Sequence, residues 1–363
     1  MTGLHFHPLR VRSVTPETDE AMVVAFDVPP PLADAFRWQP GQYLTLRHAL
    51  DGEDLRRSYS ICAGLDDGEL RVGVRRVRGG RFSTWLNASL RAGDTLEVMP
   101  PQGRFVVPPA TAGDPLPRHY LGVAGGSGIT PILSILKTTL AREPGSRFTL
   151  VYGNRRSAST MFKEELEDLK NRYLTRLSLH HVFSEEVLDA PLSQGLLDRT
   201  KLAQFLGPVI DVRRIAHAFV CGPYAMNDEA EAALRAAGLD AARIHIERFG
   251  IVDPTGAAAA APDVAPGDAA ECRMTVIRDG LTREVPFHAG DASVLAAAAN
   301  AGLDLPFSCK SGVCGTCRAH LGAGEVRMTR NFALEPADLA AGFILTCQSH
   351  PLTPTLTVSF DVR

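Results

Sequence analysis

No stretch of the 363-residue sequence holds the ~18 consecutive apolar residues needed to cross a bilayer, so no membrane-spanning helix is expected. The opening, MTGLHFHPLR, lacks the uninterrupted apolar core of a secretory signal, and a cytoplasmic location is expected by default. Basic charge is not in excess. Lys and Arg number 38 against 41 Asp and Glu, for a formal charge of -3, which argues against a general nucleic-acid binder. No Ser/His/Asp or Cys/His nucleophile arrangement stands out, which leaves hydrolysis little support. No internal repeat is present. Thiols stay reduced in the cytoplasm, so the seven cysteines do not read as a disulfide framework. The chain is 45% hydrophobic and 22% charged, ordinary for a globular protein, and is too long for one hydrophobic core.

Three segments and a tether follow one another. Residues 1–112 contain six short apolar or alternating runs, LRVRSV, AMVVAFDV, YLTLRHAL, RRSYSI, ELRVGVRRV and TLEVMP, separated by Gly, Pro and Asp clusters. Six strands without a long helix predict an antiparallel β-barrel. Residues 113–250 alternate strands (YLGVA, FTLVYG, LSLHHVF, AHAFVCG, RIHIERF) with helical patterns, which predicts a doubly wound parallel α/β sheet. Residues 251–271 are rich in Ala, Pro, Gly and Asp with no apolar period and read as a tether. Residues 272–363 open on a predicted hairpin turning at Asp279-Gly280, and one helix near Ser293 leads into the stretch CKSGVCGTC.

That stretch carries Cys309, Cys314 and Cys317, and Cys347 follows 30 positions later. The spacing C-x4-C-x2-C with a distant fourth cysteine is the plant-type arrangement for a [2Fe-2S] cluster. Gly312 and Gly315 give the loop the freedom to turn thiolates inward, and small neighbours let backbone amides approach the sulfurs. Structural zinc favours two short C-x2-C units, and only one is present. A redox pair at Cys314 and Cys317 leaves Cys309 and Cys347 without a role. Cys62, Cys221 and Cys272 have no partner spacing and read as core residues.

A cluster of this type moves one electron at a time, at a potential of roughly -400 mV. Pyridine nucleotides release two electrons as hydride, and a flavin can accept the pair and release it singly. Two segments offer the matching sites. VAGGSGITP lies where a strand meets a helix; Gly125, Gly126 and Gly128 let the backbone approach a diphosphate at the helix N-terminus. It is not a strict G-x-G-x-x-G, and no Gly-Lys-Ser/Thr follows. YGNRR places Asn154, Arg155 and Arg156 at the tail of the next strand, where arginine suits a 2'-phosphate, so NADPH is expected ahead of NADH; two solvated arginines are the alternative. In RSYS, Arg57 suits a flavin diphosphate, Tyr59 the isoalloxazine and Ser60 flavin N5. GGRFST puts Gly80, Phe82 and Ser83 at a turn that can complete the diphosphate site, although either motif alone could be barrel surface.

Taken in order, RSYS, GGRFS, AGGSGITP, YGNR, CGP, HIERF and the cysteine loop resemble the ferredoxin-NADP reductase superfamily with a plant-type ferredoxin, of β-grasp fold, fused at its C-terminus. The resemblance covers essentially the whole chain. Within the superfamily the sequence is most similar to reductase components of bacterial phenylacetyl-CoA epoxidases. It implies FAD on Arg57, Tyr59, Ser60, Gly80, Phe82 and Ser83, and nucleotide on Gly125, Gly126, Gly128, Thr130, Asn154, Arg155, Gly222 and Pro223. Ser60, Thr130, Cys221 and Glu247 would surround the reacting rings, with Phe249 near the flavin, and Cys309, Cys314, Cys317 and Cys347 would hold the cluster. Plant-type reductases end on an aromatic residue, whereas this chain continues past Phe249. The implied function is NADPH-dependent electron delivery through FAD and [2Fe-2S] to a diiron oxygenase. Steroid hydroxylases and aromatic-ring oxygenases are alternative partners, and an iron-sulfur sensor or carrier is the reading from a different class. The basic run Arg71, Arg75, Arg76, Arg78 and Arg81 reads as a solvated strand edge or a docking patch, with Arg71 and Arg75 on one strand face and Arg76 and Arg78 on the other. His180 and His181 are expected in a buried strand as structural residues.

Overall fold

A computed structural model of the chain describes residues 4–111, 113–114, 117–249 and 265–362. These fall into two compact units, one made largely of residues 6–249 and the other largely of the C-terminal residues from 265.

The first unit begins with strands β1 (His7–Thr18), β2 (Ala21–Asp27), β3 (Tyr43–Leu50), β4 (Glu53–Ser60), β5 (Leu70–Arg75) and β6 (Thr95–Gln102) in one sheet of order β4-β3-β6-β1-β2-β5. An antiparallel bridge between Ile61, just past β4, and Val72 of β5 links the two ends of that order, as barrel closure requires. Leu9, Val11, Val24, Leu44, Leu46, Val72 and Val98 alternate inward and fill the barrel. A helix absent from the sequence reading, α1 (Arg81–Ser89), follows the Gly79-Gly80 turn and buries Phe82, Ser83 and Leu86. Strand β5 stops at Arg75, so Arg76 and Arg78 lie beyond it in an exposed turn and not on its opposite face.

The same unit continues into β7 (His119–Gly125), α2 (Ile129–Arg142), β8 (Arg147–Asn154), α3 (Lys163–Arg172), β9 (Leu177–Phe183), α4 (Arg199–Phe205), β10 (Ile215–Gly222), α5 (Tyr224–Ala236) and β11 (Ile244–Arg248). The strands form a parallel sheet of order β11-β10-β7-β8-β9, the doubly wound arrangement. Helix α2 buries eleven of its fourteen residues, because sheet and barrel cover opposite sides of it. Leu136 on this helix is fully buried, and truncating it to alanine would cost about 2–5 kcal/mol. Around this seam Lys137 pairs with Asp67 at 2.6 Å and with Glu165, and Arg71 pairs with Glu165 at 2.6 Å. His180 and His181 are half-buried in β9, not buried.

The second unit contains β12 (Glu271–Arg278), β13 (Leu281–His288), α6 (Val294–Asn300), β14 (Arg318–Ala323), β15 (Val326–Met328), α7 (Pro336–Ala340), β16 (Phe343–Leu345), β17 (Ser349–Pro351) and β18 (Thr355–Ser359). Its five-stranded sheet runs β13-β12-β18-β14-β16, and β15 pairs separately with β17. The first hairpin turns at Asp279 (φ 54°) and Gly280 (φ 73°), both left-handed, as a two-residue turn demands. The tether reading extends to residue 271, and its positions 251–264 lie outside the described residues. From Ala265 onward it is anchored: Asp268 takes two hydrogen bonds from Arg327 (2.9 and 2.6 Å), and the Ala269 amide donates to Pro351 O at 2.8 Å. The Arg327 bonds hold the Asp268 carboxyl down at about 2.

Candidate functional site

In the parallel sheet the chain winds outward from β7 in two directions, so the crevice at the C-terminal ends of β7 and β10 is the switch point where such sheets bind ligands. Gly125, Gly126 and Gly128 follow β7, and Cys221, Gly222 and Pro223 finish β10. Only glycine fits at 128: a Cβ there would sit 2.0 Å from the carbonyl oxygen of Cys221. Gly126 has φ +52°, its carbonyl accepts from Tyr152 Oη at 2.9 Å, and the Thr130 hydroxyl donates to Ser127 O at 3.0 Å. The first turn of α2 has neither an acidic residue nor a side-chain cap, which leaves its amides suited to an anion. Met226 wedges against this turn: Cβ atoms on Gly125 and Gly222 would lie 2.6 and 2.4 Å from its Sδ and Cε.

Ser60, Cys221 and Glu247 converge beside that turn. Cys221 and Glu247 are register partners across β10 and β11, and Ser60 Oγ donates to Glu247 Oε2 at 3.4 Å. Glu247 as a whole is half-buried, but its carboxyl is shielded, and burial pushes it up to about 8 against a smaller opposing effect from the Ser60 hydroxyl. Burial, reinforced by the Glu247 charge, pushes the Cys221 thiol well up. Thr130 is buried at the start of α2, against Gly73 of β5. Three of the four residues expected around the reacting rings thus share one corner, and Thr130 lies two residues beyond Gly128, which abuts the Cys221 carbonyl. Phe249 follows β11 and is 46% exposed.

A cleft of ≈ 690 Å³ opens next to the glycine turn, lined by Glu20, Arg75, Arg76, Arg78, Thr84, Ser127 and Arg155 among others. Arg155 and Arg156 are both exposed and both ion-paired, Arg155 to Glu20 at 3.2 Å inside the cleft and Arg156 to Glu185 at 3.1 Å. Asn154 is buried, and its Nδ2 has no hydrogen-bond partner among the described residues. Glu20 belongs to no sequence motif, and Arg75 carries no sign of this site beyond its place in the basic run.

On the barrel, Arg57 is exposed on β4 and Tyr59 is half-buried, with its ring centroid 6.3 Å from that of Phe82. The Phe82 side chain is 2% exposed and belongs to the barrel core, so only its amide, in the first turn of α1, is available to a ligand. The Ser83 hydroxyl is turned to its own loop: it accepts from Val77 N at 3.0 Å and donates to Gly80 O at 3.4 Å. The diphosphate reading of GGRFST, on amides and a hydroxyl together, therefore keeps only the amides, those of the uncapped α1, which again has no acidic residue in its first turn. Arg71 and Arg81 are committed elsewhere, Arg71 to Glu69 and Glu165 and Arg81 to Asp51 and Glu53.

In the second unit the loop after α6 is bent by left-handed Lys310 (φ 54°), Gly312 (φ 80°) and Gly315 (φ 72°). The Ser311 amide donates to Cys309 Sγ at 3.3 Å, the Thr316 amide to Cys314 Sγ at 3.5 Å, and Gln348 Nε2 to Cys347 Sγ at 3.6 Å. The sulfurs act on one another in two sets: Cys309 and Cys314 perturb each other's thiols, and Cys347 perturbs that of Cys317. The bond from Cys314 draws the Cys309 thiol down, and the neighbouring sulfurs push Cys314 and Cys317 up. Among the described residues no three His, Cys, Asp or Glu side chains close round a single metal ion. Two thiol pairs with amides directed at sulfur fit a group that holds two irons, each taking two cysteines.

Comparison with known proteins agrees with this layout. Residues 8–107 match the family model of an oxidoreductase FAD-binding domain, 123–232 that of an oxidoreductase NAD-binding domain, and 276–352 that of a 2Fe-2S iron-sulfur cluster binding domain. The chain is 46% identical to a component of the 1,2-phenylacetyl-CoA epoxidase of Escherichia coli (strain K12), over 99% of this chain and 98% of that protein. It is 37% identical to the ferredoxin reductase component of 3-ketosteroid-9-alpha-monooxygenase of Mycobacterium tuberculosis (strain ATCC 25618 / H37Rv), over 99% and 97%. Among solved structures it shares the fold of phthalate dioxygenase reductase, with a TM-score of 0.58, 23% identity and 98% of both chains covered. No helix among the described residues is long and apolar enough to cross a membrane.

Proposed function

Because this chain belongs to the family of FAD-, NAD- and [2Fe-2S]-binding oxidoreductases that includes the reductase components of oxygenases, we propose that it draws on NADPH and serves the oxygenase of a phenylacetyl-CoA epoxidase. What supports the electron-transfer chemistry itself is one polypeptide holding both a shielded Ser60–Cys221–Glu247 corner at a dinucleotide switch point and a loop of four neighbouring cysteines. When bound, FAD supplies conversion of a hydride pair into single electrons, and the cluster supplies one-electron carriage.

The side chains bind, orient and exclude water. Arg57, Tyr59, Ser60 and the first-turn amides of α1 would hold the flavin. Gly125, Gly126 and Gly128 let the nucleotide diphosphate lie against the α2 amides, and Arg155 meets the 2'-phosphate. Thr130 and Cys221, both buried, wall the nicotinamide side against water. Glu247, its carboxyl pushed up to about 8 by burial, favours the protonated form at neutral pH and would leave this corner uncharged. Cys309, Cys314, Cys317 and Cys347 would hold the cluster, with the Ser311 and Thr316 amides offsetting sulfur charge. Preference for NADPH rests on Arg155, and the choice of oxygenase rests on the 46% identity to the epoxidase component.

The test is a visible spectrum of the purified protein, anaerobic titration with NADPH and NADH, and spin resonance of the reduced form. Flavin and cluster absorbance, bleaching by NADPH at lower concentration than by NADH, and electron transfer to the epoxidase oxygenase in preference to a steroid or ring-hydroxylating oxygenase are expected. A colourless, zinc-containing protein would overturn the reading.

A further inference from the structure

One carboxylate oxygen, Oε2 of Glu20, lies 3.1 Å from Nη2 of Arg75 and 3.2 Å from Nη2 of Arg155. Glu20 comes from the tight turn between β1 and β2, Arg75 ends β5, and Arg155 follows β8, so three separate segments meet on a single atom. All three residues line the ≈ 690 Å³ cleft that also presents Ser127 of the glycine turn. Arg75 stands directly against that turn, since a Cβ on Gly126 would lie 2.9 Å from its Nη1. The backbone of Glu20 is fixed: its carbonyl accepts from the Arg76 amide at 2.7 Å, and the adjoining Ala21 pairs with Arg75 across the β2–β5 ladder. Only its side-chain torsions can withdraw the carboxylate.

A phosphate seated on Arg155 competes with Glu20 for the guanidinium at Nη2, and an anion beside Arg75 meets the same carboxylate. We propose that Glu20 is a specificity-determining residue, an internal anion that competes with the nucleotide's 2'-phosphate for Arg155 and so sets how strongly this chain distinguishes 2'-phosphorylated from unphosphorylated nucleotides. The inference rests on the reading of this cleft as the nucleotide site. Its sense is opposite to that of Arg155: removing the carboxylate strengthens discrimination in favour of the 2'-phosphate, and removing the guanidinium weakens it. Both ion pairs are partly exposed, so each is worth little alone, and the expected effect is several-fold and shrinks with added salt.

The experiment is calorimetric titration of the purified full-length protein with 2',5'-ADP and with 5'-AMP, which differ only in the 2'-phosphate. It is done for the wild type, Glu20→Gln, Arg155→Gln and the double variant, each first checked by thermal melt. Glu20→Gln is expected to raise the ratio of 2',5'-ADP to 5'-AMP affinity by about two- to five-fold. Arg155→Gln lowers that ratio, and in its background Glu20→Gln gives no gain. A ratio unchanged or lowered by Glu20→Gln, with Arg155→Gln still lowering it, overturns the role of Glu20 while leaving the nucleotide site standing. Failure of the wild type to bind either ligand, or a ratio indifferent to Arg155→Gln, brings down the site itself and the inference with it.

Discussion

Ser60 Oγ lies 3.4 Å from Glu247 Oε2 although 187 residues separate them. The contact joins the end of a barrel strand to the last strand of the parallel sheet and leaves the carboxyl poorly hydrated. Burial raises it to about 8, and the serine hydroxyl only partly offsets this. In the unfolded chain the same group titrates near 4.3. Between those values the folded protein retains a proton that the unfolded one has lost, so this residue's contribution to stability is full at low pH and declines as pH rises through about 8. Glu247→Gln removes the titration. Its melting temperature relative to wild type should climb between pH 6 and 9, by roughly 3 °C or more. A difference between the two melts that stays constant across that range would contradict the shielded carboxyl.

Gly128 supplies a harsher test. Its would-be Cβ meets backbone, not a movable side-chain tip, at 2.0 Å. Gly128→Ala must therefore push the α2 start away from β10, at a cost of about 3 kcal/mol, and loosen the anion site with it. Gly290→Ala, where nothing lies within 4 Å and φ is not left-handed, is the control and should be close to neutral. Urea unfolding of the two variants distinguishes them, and equal midpoints would show that the turn yields freely.

Much of this was legible in the chain. YLTLRHAL became β3 with its limits unchanged, and the cysteine spacing anticipated both the loop glycines and the amides on sulfur. What escaped notice depended on tertiary context. Helix α1 hides behind Gly79-Gly80, which signals a turn, and it forms because Phe82 and Leu86 find a place in the barrel core. The near-total burial of α2 reflects a second covering layer that no single-helix period reveals. Glu20 sits in an ordinary polar turn, and its arginine partners are 55 and 135 residues away. Phe162, buried at φ 58° with its amide donating to Glu17 at 2.5 Å, likewise gives no local sign of its left-handed backbone.

At the N-terminal ends of β10 and β11, His217 Nδ1 and His245 Nε2 are 3.1 Å apart. Burial, with the His217 charge second, holds His245 down at about 4, and burial also lowers His217 despite Asp114 at 3.9 Å. An unfolded histidine takes up its proton near 6.5. As pH falls from there towards 4, the unfolded chain gains protons that the folded pair refuses, so stability drops over that window. His245→Gln should flatten the loss of melting temperature between pH 7 and 5. An acid limb as steep as that of wild type would place the sensitivity elsewhere, with His119, His180 and His181, also lowered by burial, the next groups to replace.

Cys317 is the buried member of the cysteine loop itself, paired with Cys347 and far from the hydride corner in sequence. If the two thiol pairs each hold one iron, Cys317→Ser weakens one pair and leaves Ser60, Cys221 and Glu247 untouched. Iron and acid-labile sulfide in the purified variant should fall by about ten-fold or more, since a ligand loss costs at least what an outer-sphere loss does. Flavin bleaching by NADPH should keep its wild-type rate, while reduction of cytochrome c or of the oxygenase partner falls by a similar factor. Stopped-flow absorbance separates the two events. Loss of flavin reduction together with the cluster would mean that the two units are not independent stations, and undiminished iron would remove Cys317 from the ligand set.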